Sequence, residues 1–231
     1  MQATSFARRP VAWSLALVAL ASNAQPADDA PWQLRQFDEA SGTSVYLRER
    51  GDDTPAFRCI THLRVRLATL VAVLLDTDGM PEWVFRTRRV VRLEADATST
   101  SGVSQVVTAM PWPLLDREAI VAWRITQETE TLAVTIDGRS APERLAPTPG
   151  LVRMPSFESQ WRFSPLANGT VEVRFEGHGD PGGKLALPAL RGFVDAAVWQ
   201  GPLQTMKALR GVVTRPDYRD AMLPFIREPA P

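Results

Sequence analysis

Side chains able to do chemistry are scarce in this chain. Of its 231 residues only His62 and His178 are histidines, and Cys59 is the one cysteine. A metal centre needs converging His, Cys or carboxylate ligands at close spacing. No such pair occurs, so no metal is expected. His62 shares its side of an alternating run with Arg58, Arg64 and Arg66, which marks it as a solvated surface residue. His178 sits between Gly177 and Gly179 at the end of another run. General-base work needs a nucleophile or substrate in reach, and the sequence nominates neither, so a structural role is expected. Cys59 has no disulfide partner within the chain. Asp180-Pro181-Gly182-Gly183 lacks the lysine and hydroxyl of a nucleotide loop. No cofactor and no catalytic residue are assigned, and the chain is not expected to be an enzyme.

What remains must do its work by shape and burial. Lys and Arg number 26, as do Asp and Glu, so the basic surplus of a nucleic-acid binder is missing. At the N-terminus Arg8 and Arg9 precede the apolar stretch 11–20, and Ser22-Asn23-Ala24 offers a small-residue cleavage site. That is the pattern of an export signal over residues 1–24. The stretch falls short of the roughly 20 residues a spanning helix needs. A soluble, exported, periplasmic mature protein is the expectation. Residues 25–220 suffice for one domain with a continuous core, and residues 221–231 form a Pro-rich surface tail.

Alternation and helical spacing outline the elements. Residues 57–66 alternate, with Phe57, Cys59, Thr61, Leu63 and Val65 on one side, a half-buried strand. Leu67, Leu70, Val71 and Leu74 follow at helical spacing, and Asp78-Gly79-Met80-Pro81 ends that segment. Further alternating runs at 103–110, 118–126, 132–136, 157–163 and 171–175 predict an antiparallel sheet. Residues 189–213 predict a C-terminal helix. Gly201-Pro202 inside it removes a hydrogen bond, so a bend or interruption near residue 201 is expected. That point and the loop 97–102 are where a lid would open.

The tryptophans are spread over these elements: Trp83, Trp112, Trp123, Trp161 and Trp199. Each taken alone is core filling. Val121, Trp123 and Ile125 share one face of their run, as do Trp161 with Phe163, and Val171 and Val173 with Phe175. The inner face of the sheet should therefore be apolar. That describes a filled core and a ligand cavity equally well.

Pro111-Trp112-Pro113-Leu114 followed by Asp116-Arg117-Glu118 resembles the signature of START (StAR-related lipid-transfer) domains. Further matches run in the family's order: 76–83 through Trp83, Arg153-Met154, Trp161, Asp180-Pro181-Gly182-Gly183, Gly201-Pro202-Leu203, Leu209-Arg210 and Pro216-Asp217-Tyr218. The resemblance spans roughly residues 30 to 220. It implies an α+β helix-grip fold, a curved antiparallel β-sheet wrapped around a long C-terminal α-helix with an internal hydrophobic tunnel for a lipid, sterol or similar molecule. Pro111, Pro113, Gly182 and Gly183 would shape backbone, and Asp116 with Arg117 would tie strand ends. Some family members place charge inside the tunnel, and the matching inward position here is Trp123.

Strand alternation and helix spacing then nominate Val107, Trp123, Val134, Met154, Trp161 and Phe175 as tunnel lining, with Phe193 and Ala197 from the helix. The implied function is binding, with or without transfer between membranes, of a hydrophobic ligand by a monomer that meets membrane surfaces transiently. A cyclase or hydrolase on a lipophilic substrate, and a lipid-sensing interaction module, are the alternatives.

Overall fold

The computed structural model describes residues 30–51, 54–183 and 191–230, with side chains from residue 197 in the last span. The expected export segment 1–24 lies outside the described residues. Among the described residues ten strands form: β1 (Gln33–Asp38), β2 (Thr43–Arg48), β3 (Ala56–Leu63), β4 (Thr87–Ala95), β5 (Ser101–Thr108), β6 (Arg117–Gln127), β7 (Val134–Ser140), β8 (Val152–Arg153), β9 (Ser156–Pro165) and β10 (Val171–Asp180). The helices are α1 (Leu67–Leu75), α2 (Arg191–Val212) and the one-turn α3 (Pro216–Arg219). This is the expected curved antiparallel sheet with its long C-terminal helix. β1, β2, β4 and the two-residue β8 are additions to the strands that alternation marked.

The sheet runs β1-β2-β3-β10-β9-β7-β6-β5-β4, antiparallel throughout, and β8 adds a two-residue parallel pairing to β6. Register fixes the inner row. Phe175 pairs with Trp161 on one side and Cys59 on the other, and Trp161 pairs with Ile136. Side chains on one face of neighbouring strands touch when directly opposite, so the rings meet. Trp161 and Phe175 stack with centroids 4.0 Å apart, and Phe57 meets Phe175 edge-on at 4.9 Å.

α1 and α2 close one half of this inner face. Leu203, Met206 and Leu209 recur at helical spacing on α2, and with Val213 just past its end they share one buried cluster with Leu67, Leu70, Val71, Val134 and Phe163. Of the bend or interruption expected near residue 201, the interruption does not occur, and the helix runs on through Pro202. Packing outweighs the lost bond: Gly201 and Pro202 are buried, a side chain at Gly201 would come within 3.2 Å of the Phe85 ring, and the Phe85 N–H donates to Thr205 Oγ1 at 3.0 Å.

The C-terminal segment is not a surface tail. Ile226 is buried in the core, and the Glu228 carboxylate accepts from the N–H groups of Leu67 and Ala68 at 3.0 and 2.9 Å. The first N–H groups of a helix have no partner within it and favour negative charge. α1 has no acidic residue in its own first turn, so a carboxylate 160 residues away supplies the cap.

Candidate ligand-binding cavity

The half of the inner face that α1 and α2 leave uncovered surrounds a cavity of about 180 Å³. Its wall is built from inward residues of six strands, among them Val90, Val106, Val121, Ile136, Trp161 and Phe175. Leu74, Leu75, Met80 and Val84 close it from the end of α1 and the segment after it. Trp123 stands at one side of the wall, its indole N–H donating to Ser104 Oγ at 3.1 Å. Gly102 is required beneath it, since a side chain there would come within 2.7 Å of the Trp123 ring.

Of the residues nominated from sequence, Trp123, Trp161 and Phe175 lie on this wall. Val134 faces the same way but is fully buried under the helices, and Ile136, two residues on, is the wall position. Val107 lies on the other face of β5: Ser104 and Val106 point into the cavity, while Val103, Gln105 and Val107 are buried under the chain between β7 and β8. Met154 follows β8, its N–H held by the Glu118 carbonyl, and does not reach the wall. Ala197 is exposed on α2. The Phe193 side chain lies outside the described residues. Arg92, Val90 and Thr87 of β4 are wall residues that the sequence reading missed. Two register shifts break the alternation of β4, and its arginines hide the inward positions.

The signature residues form a polar node behind the wall. Glu118 is fully buried and accepts hydrogen bonds from the Thr148 N–H (2.9 Å), Thr148 Oγ1 (2.7 Å), Gln105 Nε2 (2.7 Å) and Arg153 Nε (3.1 Å). Burial pushes its carboxyl pKa up, and these donors outweigh burial and hold it below the usual glutamate value. Arg117, also buried, donates to the carbonyls of Pro181 (3.2 Å), Gly182 (3.3 Å) and Leu115. Gly182 and Gly183 take φ of +65° and +61°, which glycine adopts at least cost, and this aims their loop at Arg117. Asp116 accepts from the Met110 N–H at 3.0 Å and Arg88 at 2.6 Å. Trp83 is buried edge-on to Trp161. Trp112, by contrast, is 92% exposed and fills no core. It sits between two prolines on the loop from β5 to β6, and its bond to Pro113 is cis.

The candidate chemical groups stand apart from the cavity. Cys59 is fully buried, and burial raises its thiol pKa to about 12. His62 is exposed, 3.9 Å from Glu172. His178 lies within β10, three residues from the inward Phe175 and so on the outer face. Among the described residues no group of three His, Cys, Asp or Glu could hold a metal, and no helix is long and apolar enough to cross a membrane. The expected lid loop is a tight turn: the Asp96 carboxylate accepts from Thr98, Thr100 and Ser101.

Comparison with known proteins agrees with this architecture. An uncharacterised protein of Pseudomonas aeruginosa is 26% identical over 201 residues, covering 87% of this chain and 94% of that one. The crystal structure of a STAR-related lipid transfer protein from Xanthomonas axonopodis superimposes with a TM-score of 0.70 at 26% identity, over 80% of this chain and 99% of that one. Human StAR-related lipid transfer protein 5 shares the fold, with a TM-score of 0.63 at 17% identity over 80% of this chain and 88% of that one. The model of the START domain matches residues 17–213, and with the helix-grip sheet and its cavity in place, the chain belongs to the START domain family.

Proposed function

We propose that this protein binds a lipid or similar hydrophobic molecule in the cavity bounded by Val106, Val121, Trp123, Ile136, Trp161 and Phe175, and carries it in the periplasm. The apolar wall around about 180 Å³ of space is the observation that carries this reading. Each methylene moved from water into such a site gains about 0.8 kcal/mol, so a chain of modest length offsets the cost of leaving a bilayer. Membership of a family whose relatives are named for lipid transfer supports it. Export rests on the N-terminal charge and apolar pattern, and the protein acts as a monomer.

Exchange with membranes has a suitable surface. Trp112 and Leu115 are 92% and 55% exposed, and the loop that bears them is tied to the start of β4 by Ala109 to Arg86 and by Asp116 to Arg88. Arg86, Arg88 and Arg89 are exposed there. An aromatic tip beside cations suits the interface of an anionic bilayer.

Tryptophan fluorescence tests the site. Trp123 and Trp161 on the wall should be quenched by a lipid brominated along its chain and spared by one brominated at its head group. Equal quenching by both would place the lipid elsewhere.

A further inference from the structure

Among the described residues that line the cavity Arg92 is the one cation, set among apolar side chains and the small hydroxyls of Thr77, Thr87, Ser104 and Ser159. Arg92 follows Val90 by two places on β4, and both line the cavity. Its guanidinium donates to the Leu75 carbonyl at the end of α1 and lies 5.8 Å from the Trp123 ring centroid. Both partners are neutral. Among the described residues no carboxylate comes within 4.0 Å of Arg92, whereas nearby Arg88 and Arg144 each pair with one. Asp137 borders the same space but belongs to the outer face. Its carboxylate accepts from Gln160 at 2.8 Å, and these two residues alternate with the inward Ile136 and Trp161. Arg92 is also exposed, so it stands at the open side of the cavity and can be reached from solvent.

An uncompensated guanidinium at the mouth of an apolar cavity complements an anionic head on an apolar tail. A planar fork of donors pairs best with a carboxylate or phosphate. The cavity of about 180 Å³ is smaller than the roughly 300 Å³ at which pockets for drug-sized molecules begin, which suits a short single chain. Resting on the lipid-binding reading above, we propose that the ligand is a single-chain amphiphile with an anionic head, carboxylate or phosphate, and that Arg92 is the residue that selects it.

Titration of the delipidated protein with octanoic acid, octanol and octyl phosphate tests this, alongside Arg92→Gln and Arg92→Lys. The acid should bind about 10-fold or more tighter than the alcohol, the advantage of a charged hydrogen-bonded pair. Arg92→Gln should abolish that ratio, and Arg92→Lys should restore part of it. If Arg92 serves only to cap α1, thermal stability falls in Arg92→Gln and the acid-to-alcohol ratio stays, which overturns the proposal. So does an alcohol that binds as well as the acid and the phosphate, whereas the order of acid and phosphate tells which anionic head the site takes. Failure of every probe to bind would overturn the lipid-binding reading itself.

Discussion

Replacing Glu118 by Gln keeps the side chain's shape and removes its charge, so it isolates the node that holds β6, β8 and the chain between β7 and β8 together. Glu118 is wholly buried and receives four hydrogen bonds, and Arg153, its ionic partner at 3.0 Å, is only 14% exposed. An amide can present one oxygen to these donors, and its nitrogen meets the rest. Hydrogen bonds to a charged group contribute about 1.5–3 kcal/mol each, and breaking a buried ion pair from one side costs about 3–5 kcal/mol. A loss of roughly 3–5 kcal/mol is expected, read by urea unfolding. At about 2–4 °C per kcal/mol for a domain of this size, the melting temperature should fall by roughly 6–20 °C. The pH dependence has a definite sign. The folded-state pKa of Glu118 is lowered, so its contribution is full above the unfolded value near about 4.3 and is lost as pH falls through the folded value. The gap between wild type and variant should therefore narrow in acid. A loss below about 1 kcal/mol at neutral pH, or a gap that persists unchanged at about pH 3, would refute the node as drawn.

Three further substitutions or probes follow. Val106→Trp should fill the cavity and abolish lipid uptake at a stability cost of about 1–3 kcal/mol from overpacking, read by ligand titration beside thermal unfolding. Gly182→Ala should cost at least about 1–2 kcal/mol, because its φ of +65° disfavours a side chain and the added carbon would lie 2.9 Å from Pro155; urea unfolding measures it. Cys59, with its thiol pKa raised to about 12 by burial, should react with a thiol reagent at neutral pH only as fast as the protein opens, so labelling faster than unfolding would show a more accessible strand β3.

The inner sheet face was legible because β6, β9 and β10 alternate cleanly: Trp123, Trp161 and Phe175 were placed from pattern alone, and they line the cavity. Where the pattern misled, tertiary packing intervened. Val107 is as apolar as its neighbour Val106, but its face of β5 is covered by the chain that brings Thr148 to Glu118 and Gln105, so apolar character there signals a second small core. Val134 has the right face and the wrong depth, since α2 fills that end with Met206 and Leu209. β4 hides its inward residues behind arginines and two register shifts, which concealed Arg92. Glu228 caps α1 from the far end of the chain, a contact that no local spacing announces. Trp112 shows the converse, a large apolar side chain that the prolines beside it hold out in solvent.

Native mass spectrometry of the delipidated protein after exposure to a mixed lipid extract tests the central claim most directly. The account predicts one bound single-chain lipid per protein molecule, retained by the wild type and lost in Val106→Trp. A protein that stays empty in the presence of every lipid class, or a Val106→Trp variant that loads as fully as the wild type, would contradict it.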